Sequence, residues 1–367
     1  MMNQTLIYPY NEILPKRSAH DVYIVQECAA LARSGMDVTL LCGKGSLPPE
    51  ELRAHYKVGS FPIHYLPIVR KNNLLRISWN LPFFFFTQRV IEKRRPDFVF
   101  LSVLKQGEYH LKRKVPQVRY VYEVHQLQHY PNSIGKTALF ERERQMLRRA
   151  DLITVTTEAL KEILQSAPYS IEGPIVVIPL AVEAKPLPPP RRGEELCLGY
   201  VGQLYEEQGV DLLLAALAKT ARVRLKVVGG KPKEIAALKS VAGRLGVLER
   251  VEFLGFIAPN ALPSHLQDVD AFVAPFTGQG RMPYVAHTKL FEYAEWGRPF
   301  IAPDLPVVRE HFEKGVIFFE VGNANSLAEA IEQMAEKKLQ LQKEVGVYAG
   351  RFGWEKRAKD YLSIIPK

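Results

Sequence analysis

Lys289 and Glu292 stand three positions apart in the run Thr288-Lys289-Leu290-Phe291-Glu292-Tyr293-Ala294, and two glycine turns, at Gly202 and at Gly229-Gly230, precede them. A carboxylate in the first turns of a helix can accept from both hydroxyls of a pentose. The unpaired N–H groups at the same helix N-terminus, with the positive end of its dipole, attract phosphate. Glycine allows the backbone to approach such a ligand closely. The chemistry these residues suit is the holding of a nucleoside diphosphate. A separate set lies earlier in the chain. His125 ends a strand-like run, Glu123-Val124-His125. His20 follows Lys16-Arg17-Ser18-Ala19 and starts a helix, where it either lines a binding pocket or caps the helix. Asp268-Val269-Asp270 has the form of a metal-binding pair, but it joins a helix end to a strand and reads as a cap and a strand-edge carboxylate.

Positioning these residues requires alternating strands and helices. In the first half, residues 5–8, 37–42, 61–66, 97–103, 118–124, 151–156 and 174–179 read as short β-branched and apolar strands, as in a parallel sheet buried on both faces. Helical periodicity covers 20–34, 135–149 and 158–166. In the second half, strands at 196–201, 224–228, 251–254, 271–275, 300–302 and 316–319 alternate with helices at 210–218, 233–245, 260–267, 288–296 and 326–336. That alternation indicates βαβ units. Between the halves, Lys185-Pro186-Leu187-Pro188-Pro189-Pro190 and the residues up to 195 read as an extended linker. The expected domains are 1–184 and 196–350, with an amphipathic terminal segment at 351–367.

Composition narrows the classes. The chain has 367 residues, 47% hydrophobic and 24% charged, enough for two ordinary globular domains. No run of 18 apolar residues suggests a spanning helix, and the first residues lack the features of a signal peptide. Cys28, Cys42 and Cys197 are too scattered for a disulfide framework or a zinc site, which points to reduced thiols in the cytoplasm. The net charge of +10, concentrated in the first half, favours anionic partners. No known nucleic-acid-binding module is present. The stretch from Arg70 through Trp79 and Phe83-Phe84-Phe85-Phe86 to Lys93-Arg94-Arg95 mixes cations with aromatics. It reads either as a core helix with a solvated basic end or as a peripheral contact for an anionic membrane surface.

In this order the motifs resemble the GT-B glycosyltransferases, specifically the retaining family 4 (group 1) type. The resemblance rests on Tyr200-Val201-Gly202, on Gly209 through Ala216, and on Lys226-Val227-Val228-Gly229-Gly230. It continues through Val251-Glu252-Phe253-Leu254-Gly255-Phe256, Lys289 through Ala294, Asp304 through Glu310, and Phe352-Gly353-Trp354. It implies two Rossmann-like domains facing a central cleft, an acceptor-binding one followed by a nucleotide-sugar-binding one, with the last helix crossing back to the first. By the same resemblance Glu292 binds the ribose and the amides at Thr288, Lys289 and Leu290 hold the phosphates. The Gly202 loop passes near them, and Gly229, Gly230 and Phe256 border the base. His125 serves the transferred sugar, and Ser18, Ala19 and His20 border the acceptor. The implied reaction moves a sugar from a nucleotide-diphosphate donor to an acceptor hydroxyl with retention. Displacement is from the front face, the departing phosphate helps deprotonate the acceptor, and neither metal nor cofactor takes part. The acceptor is a glycan or a lipid-linked species in cell-surface assembly, handled in the cytoplasm or at the inner membrane face.

Departures from the pattern are specific. Gln203 and Gln208 stand where the family usually places Arg and Lys against the leaving diphosphate. Tyr284 stands where a first glutamate is usual, and Ala181 where a glycine is common. Arg281, Lys231 and Lys289 are candidates to restore the missing charge, and Tyr284 and His287 are counted with the donor-site residues. A sugar-nucleotide epimerase and an inactive binding scaffold on the same fold are the alternatives.

Overall fold

The computed structural model describes residues 3–16, 19–68, 80–131, 138–183, 185–188, 195–258 and 261–365, and of Ala19 the backbone alone. Ser18, the side chain of Ala19, the basic stretch 70–79, the linker residues 189–194 and the expected helix starts at 135 and 260 lie outside that description. The chain packs as two units. One comprises Met1–Pro179 with Trp354–Lys367, and the other Leu180–Gly353.

The first unit is built on a seven-stranded parallel sheet. Its strands are β1 (Thr5–Leu14), β2 (Asp37–Lys44), β3 (Ile63–Leu66), β4 (Phe98–Leu101), β5 (Arg119–Val124), β6 (Leu152–Val155) and β7 (Ile175–Val177). Their order is β3-β2-β1-β4-β5-β6-β7, so the chain reverses direction across the sheet between β1 and β4. Ligands on such sheets bind where the order reverses, beyond the carboxyl ends of the strands. The helix Ala19–Arg33, which carries His20, leaves β1 at that point.

The second unit repeats the plan with six parallel strands. They are β8 (Leu196–Val201), β9 (Val223–Val228), β10 (Val251–Gly255), β11 (Ala271–Val273), β12 (Phe300–Pro303) and β13 (Val316–Phe319), in the order β10-β9-β8-β11-β12-β13. Here the reversal falls between β8 and β11. The core joins Leu198, Tyr200, Leu225, Val227 and Val273 of the sheet to Leu213, Leu214 and Leu217 of the helix Val210–Leu217. Helix Thr288–Glu295 buries Leu290, Phe291, Tyr293 and Ala294. Tyr293 stacks on Phe272 with centroids 4.3 Å apart, and its hydroxyl takes the Val201 N–H at 3.1 Å. One tyrosine thus fixes this helix against the end of β8.

Several expected boundaries shift. The first strand extends to Leu14 and pairs with β2 as far as Lys44, with a register shift between Tyr10 and Ile13. The helix expected over 326–336 runs Ala324–Glu344. It starts at Asn323, whose side chain accepts from the N–H groups of Asn325 and Ser326, and it ends in a polar stretch with little periodicity. The seven-residue helices Pro49–His55 and Leu104–His110 span barely two turns, too few for a helical period to show. The start of the expected linker is laid on the second unit. Leu187 is buried and donates its N–H to the Trp296 carbonyl, and Arg298 reaches the Pro188 carbonyl. Val182 bridges to Gly353, so the second unit begins before the proline run.

Candidate functional site

In the second unit, the donor-side candidates gather at the sheet reversal. The Gly202 N–H bonds the Val228 carbonyl at 3.0 Å, and the Gly229 N–H bonds the Gly255 carbonyl at 2.7 Å. These bonds step the ends of β8, β9 and β10 against one another. Gly229 has φ +109°, and a Cβ there would lie 2.0 Å from the Gly202 carbonyl oxygen. No side chain fits, so the two turns meet backbone to backbone. Gly230 follows, and Phe256 stands just past the end of β10 with 70% of its surface exposed, an unusual position for an aromatic ring.

Lys289 lies over this turn. A Cβ on Gly202 would sit 3.0 Å from Lys289 Nζ. The ammonium donates to Gln208 Oε1 at 2.5 Å and to the Tyr200 hydroxyl at 3.0 Å. It also lies 4.3 Å from the Tyr200 ring centroid and 5.2 Å from that of Phe276, which follows β11. Tyr200 in turn donates to the Gln203 carbonyl at 2.5 Å. Burial pushes the Lys289 amine down to about 7, with Glu292 opposing the shift. Burial pushes the Glu292 carboxyl up to about 7, with Lys289 opposing. The pocket therefore resists charge on both groups and favours a ligand that compensates them.

The remaining donor-side candidates divide. Thr288 is exposed at the helix N-terminus and Leu290 is buried beneath it, its N–H bonded to the His287 carbonyl at 2.9 Å. The Thr288 and Lys289 amides precede any intrahelical acceptor. The His287 side chain is turned into the protein. Its Nε2 is 3.0 Å from the Met282 carbonyl oxygen, and its ring stacks on Phe276 at 4.0 Å. Burial pushes that imidazole down to about 3, so it is neutral and shapes the turn before the helix. Tyr284 is buried, whereas Arg281 and the Gln203 side chain are exposed. Of the three candidate replacement cations, Lys289 is the one bonded to Gln208. Lys231 instead lies 6.0 Å from the Tyr205 ring. Asp268 and Asp270 point to different lysines, Lys226 at 2.7 Å and Lys338 at 3.2 Å, as structural carboxylates do.

In the first unit, His20 and His125 come together, with ring centroids 6.0 Å apart and edges facing. Tyr23 packs edge-on against His125 at 4.9 Å. Glu123 Oε2 lies 3.3 Å from His125 Nε2. The other Glu123 oxygen accepts from Tyr23 at 3.0 Å and from Arg357 of the helix Trp354–Ile364, which also donates to Glu27 at 2.9 Å. Burial works against the Glu123 carboxylate, but His125 and Arg357 overcome it and hold its pKa well below the usual range. Burial and the neighbouring Glu123 charge push Glu27 up to about 7. Sequence reading passed over Glu123 as a partner. The available signal was its spacing of two from His125 at a strand end, which puts both on one face.

Comparison with known proteins bears on the family and the fold. Residues 21–185 match the model described as Glycosyltransferase Family 4, and residues 195–337 match Glycosyl transferases group 1. A curated relative, the O-antigen biosynthesis glycosyltransferase WclY of Escherichia coli, is 26% identical over 168 residues, a match spanning 45% of each chain. Sucrose-phosphate synthase from Thermosynechococcus elongatus superposes with a TM-score of 0.74 at 17% identity, covering 99% of this chain and 98% of that one. HepE of Anabaena, solved in complex with UDP and glucose, gives 0.73 at 16% identity, covering 98% of this chain and 99% of that one. At such identity these structures speak for the fold alone, which is GT-B. With two family models spanning most of its length, the chain belongs to the group 1, family 4 glycosyltransferases.

Proposed function

We propose that the protein transfers a sugar from a nucleotide-diphosphate donor to an acceptor hydroxyl, with retention and without a metal, in the assembly of a cell-surface glycan or glycolipid. The observation that carries this reading is the convergence of four features at the β8–β11 reversal of a family 4 chain. These are the Gly202–Gly229 backbone contact, the Lys289 ammonium, the open N-terminus at Thr288 and the Glu292 carboxylate. Backbone amides and one cation suit a diphosphate, and a half-buried carboxylate one turn on suits a pentose diol. Phe256, exposed beside Gly255, offers a ring face to a base. Arg281, Tyr284, Gln203 and Gly230 border the same site in this reading.

His125 contributes on the sugar side. Glu123 Oε2 lies 3.3 Å from one of its ring nitrogens and the Tyr23 ring packs edge-on against it, contacts that favour one orientation of the ring. The acceptor side belongs to Ser18, Ala19 and His20. The relative's printed role in O-antigen biosynthesis supports a glycan or lipid-linked acceptor. Among the described residues no helix is long and apolar enough to cross a membrane. We place the protein in the cytoplasm, with peripheral contact at the inner membrane face.

Calorimetry with UDP, GDP and ADP, followed by release of nucleoside diphosphate from the matching sugar nucleotides, tests the reading. The expected result is binding of one nucleotide, loss of about tenfold or more in affinity in Glu292→Ala with the fold retained, and measurable turnover. Unchanged affinity in Glu292→Ala would remove that residue from the site. Binding without turnover on any donor would favour a scaffold.

A further inference from the structure

We propose that Glu295 is a positioning residue for the donor site. Its bonds to the backbone of Gly350 and Phe352 fix the roll of the helix Thr288–Glu295, and that roll aims Lys289 and Glu292. The proposal rests on the glycosyltransferase reading and deepens it, and every residue in it belongs to the second unit.

Glu295 is the last residue of the helix and keeps 2% of its surface exposed. One carboxylate oxygen accepts from the Gly350 N–H at 2.8 Å, and the other accepts from the Phe352 N–H at 2.7 Å. Among the described residues it has no Lys, Arg or His partner. A carboxylate there meets the negative end of the helix dipole and has given up its water. For packing alone, an apolar side chain would serve at least as well. What the carboxylate adds is two directional bonds to a segment outside the helix. That segment is itself held. The Phe352 carbonyl accepts from the Val182 N–H at 2.9 Å, and the Tyr348 hydroxyl accepts from the Glu313 and Lys314 N–H groups at 2.8 and 3.0 Å.

Placement on the helix gives those bonds their effect. Lys289, Glu292 and Glu295 recur every third residue and form one stripe. At about 100° per residue, Tyr293 and Glu295 stand about 160° apart, and Glu292 and Lys289 fall in the arc between them. Tyr293 is tied to the Val201 N–H at 3.1 Å. Phe291 is held by rings, 4.7 Å from Phe352 and 5.2 Å from Phe312, contacts less directional than hydrogen bonds. The two directional anchors, Tyr293 and Glu295, thus stand on either side of the ligand-binding pair. Released at Glu295, the helix can roll about Tyr293. At a side-chain radius of about 5–6 Å, a roll of about 10° moves a group by about 1 Å. Displacements of that size, made far from the chemistry, lower rates by up to about 100-fold.

Calorimetry tests the role with whichever of UDP, GDP and ADP the wild-type protein binds. Glu295→Gln keeps one acceptor oxygen and turns an amide NH2 toward the other N–H. It is expected to weaken binding about tenfold with the number of sites unchanged. In a Glu292→Ala background the same substitution is expected to cost less than about twofold, because Glu295 acts through the residues it aims. Tyr348→Phe strips the bonds to Glu313 and Lys314 and is expected to lower the melting temperature with affinity unchanged. Wild-type affinity in Glu295→Gln overturns the proposal. So does a full tenfold loss in the Glu292→Ala background, or an affinity loss in Tyr348→Phe that tracks its melting temperature. Hydrogen exchange on the wild-type protein needs no variant. Nucleotide is expected to slow exchange at the Gly350 and Phe352 amides several-fold, since a helix held by its ligand holds these bonds in turn. Unchanged exchange at both amides overturns the proposal. Failure of the wild-type protein to bind any of the three nucleotides refutes the donor reading, and the role of Glu295 with it. Nucleotide binding combined with any of the overturning results refutes the role of Glu295 alone.

Discussion

Lys289 Nζ and Gln208 Oε1 lie 2.5 Å apart although 81 residues separate them in the chain. At position 208 the loop carries an amide that accepts from a lysine on the helix. Tyr200 makes the arrangement rigid by accepting from the same ammonium and donating to the Gln203 carbonyl.

If that ammonium neutralises a diphosphate, Lys289→Met weakens UDP binding by about 10- to 100-fold, the equivalent of about 1.5–3 kcal/mol for a charged hydrogen bond. Gln208→Lys alone places two ammonium groups in contact and lowers the melting temperature. Gln208→Lys with Lys289→Gln returns the charge to the loop and restores both stability and affinity. Calorimetry and thermal melts of the three variants distinguish this from simple packing, for which the double variant would be the worst of the set.

Lys289 and Glu292 both titrate near 7 in the unliganded site, so nucleotide binding should move protons with a sign that depends on pH. At pH 8 the free amine of Lys289 is largely neutral, and an adjacent diphosphate favours the ammonium, so a proton is taken up. At pH 6 Lys289 is already charged and Glu292 is largely protonated. Hydroxyl donors from a ribose favour the carboxylate, so a proton is released. Binding heats measured in buffers of different ionisation enthalpy should show uptake at pH 8 that vanishes in Lys289→Met. Release at pH 6 should vanish in Glu292→Gln. Pure packing roles for the pair require no proton linkage at either pH.

The Glu27–Arg357–Glu123 cluster sets two buried carboxylates against one guanidinium. Glu27 has a folded-state pKa raised to about 7 from 4.5, by burial and then by Glu123. The folded state thus holds a proton that the unfolded chain has released, and stability from this group is full below about 4.5 and is lost as pH rises through 7. Glu27→Gln should therefore raise the melting temperature at pH 8 and leave it nearly unchanged at pH 5. Arg357→Met should cost about 3–5 kcal/mol at pH 8, the usual result of stripping the partner from a buried charge. Denaturant melts at the two pH values check both, and a pH-independent effect of Glu27→Gln would contradict the assignment.

This cluster also marks the limit of what the sequence makes legible. The alternation of strands and helices, the Gly202 and Gly229 turns and the helix with Lys289 and Glu292 are local patterns, each readable within about ten residues. The contacts that tune them are not local. Glu27 and Arg357 are 330 positions apart, and no period or motif connects them. Tyr200 reads as one more apolar strand residue, since strand patterning reports which way a side chain faces and is silent about where its hydroxyl ends. His287 was misleading for a related reason. It sits beside the binding residues in sequence, but its ring points at Met282 and Phe276.

The four consecutive phenylalanines resolve into two pairs with different work. In the helix Leu81–Arg94, Phe83 and Phe84 are buried, while Phe85 and Phe86 keep 47% and 43% of their surface exposed and Leu81 keeps 45%. Leu81, Phe85 and Arg89 are spaced by four and share a face, and the Arg89 guanidinium lies 5.2 Å from the Phe85 ring centroid. A cation laid over an exposed aromatic suits the boundary between lipid headgroups and acyl chains, where the ring enters and the charge meets phosphate. Each phenylalanine inserted contributes about 1.5–3 kcal/mol. Phe85→Ser with Phe86→Ser should therefore reduce binding to vesicles containing phosphatidylglycerol at least tenfold while leaving UDP affinity intact. Arg89→Gln should weaken binding to anionic vesicles more than to neutral ones. Equal sedimentation of wild type and the double serine variant with anionic vesicles would show that this face does not enter lipid, and would leave the basic excess of the first half as the sole source of membrane attraction.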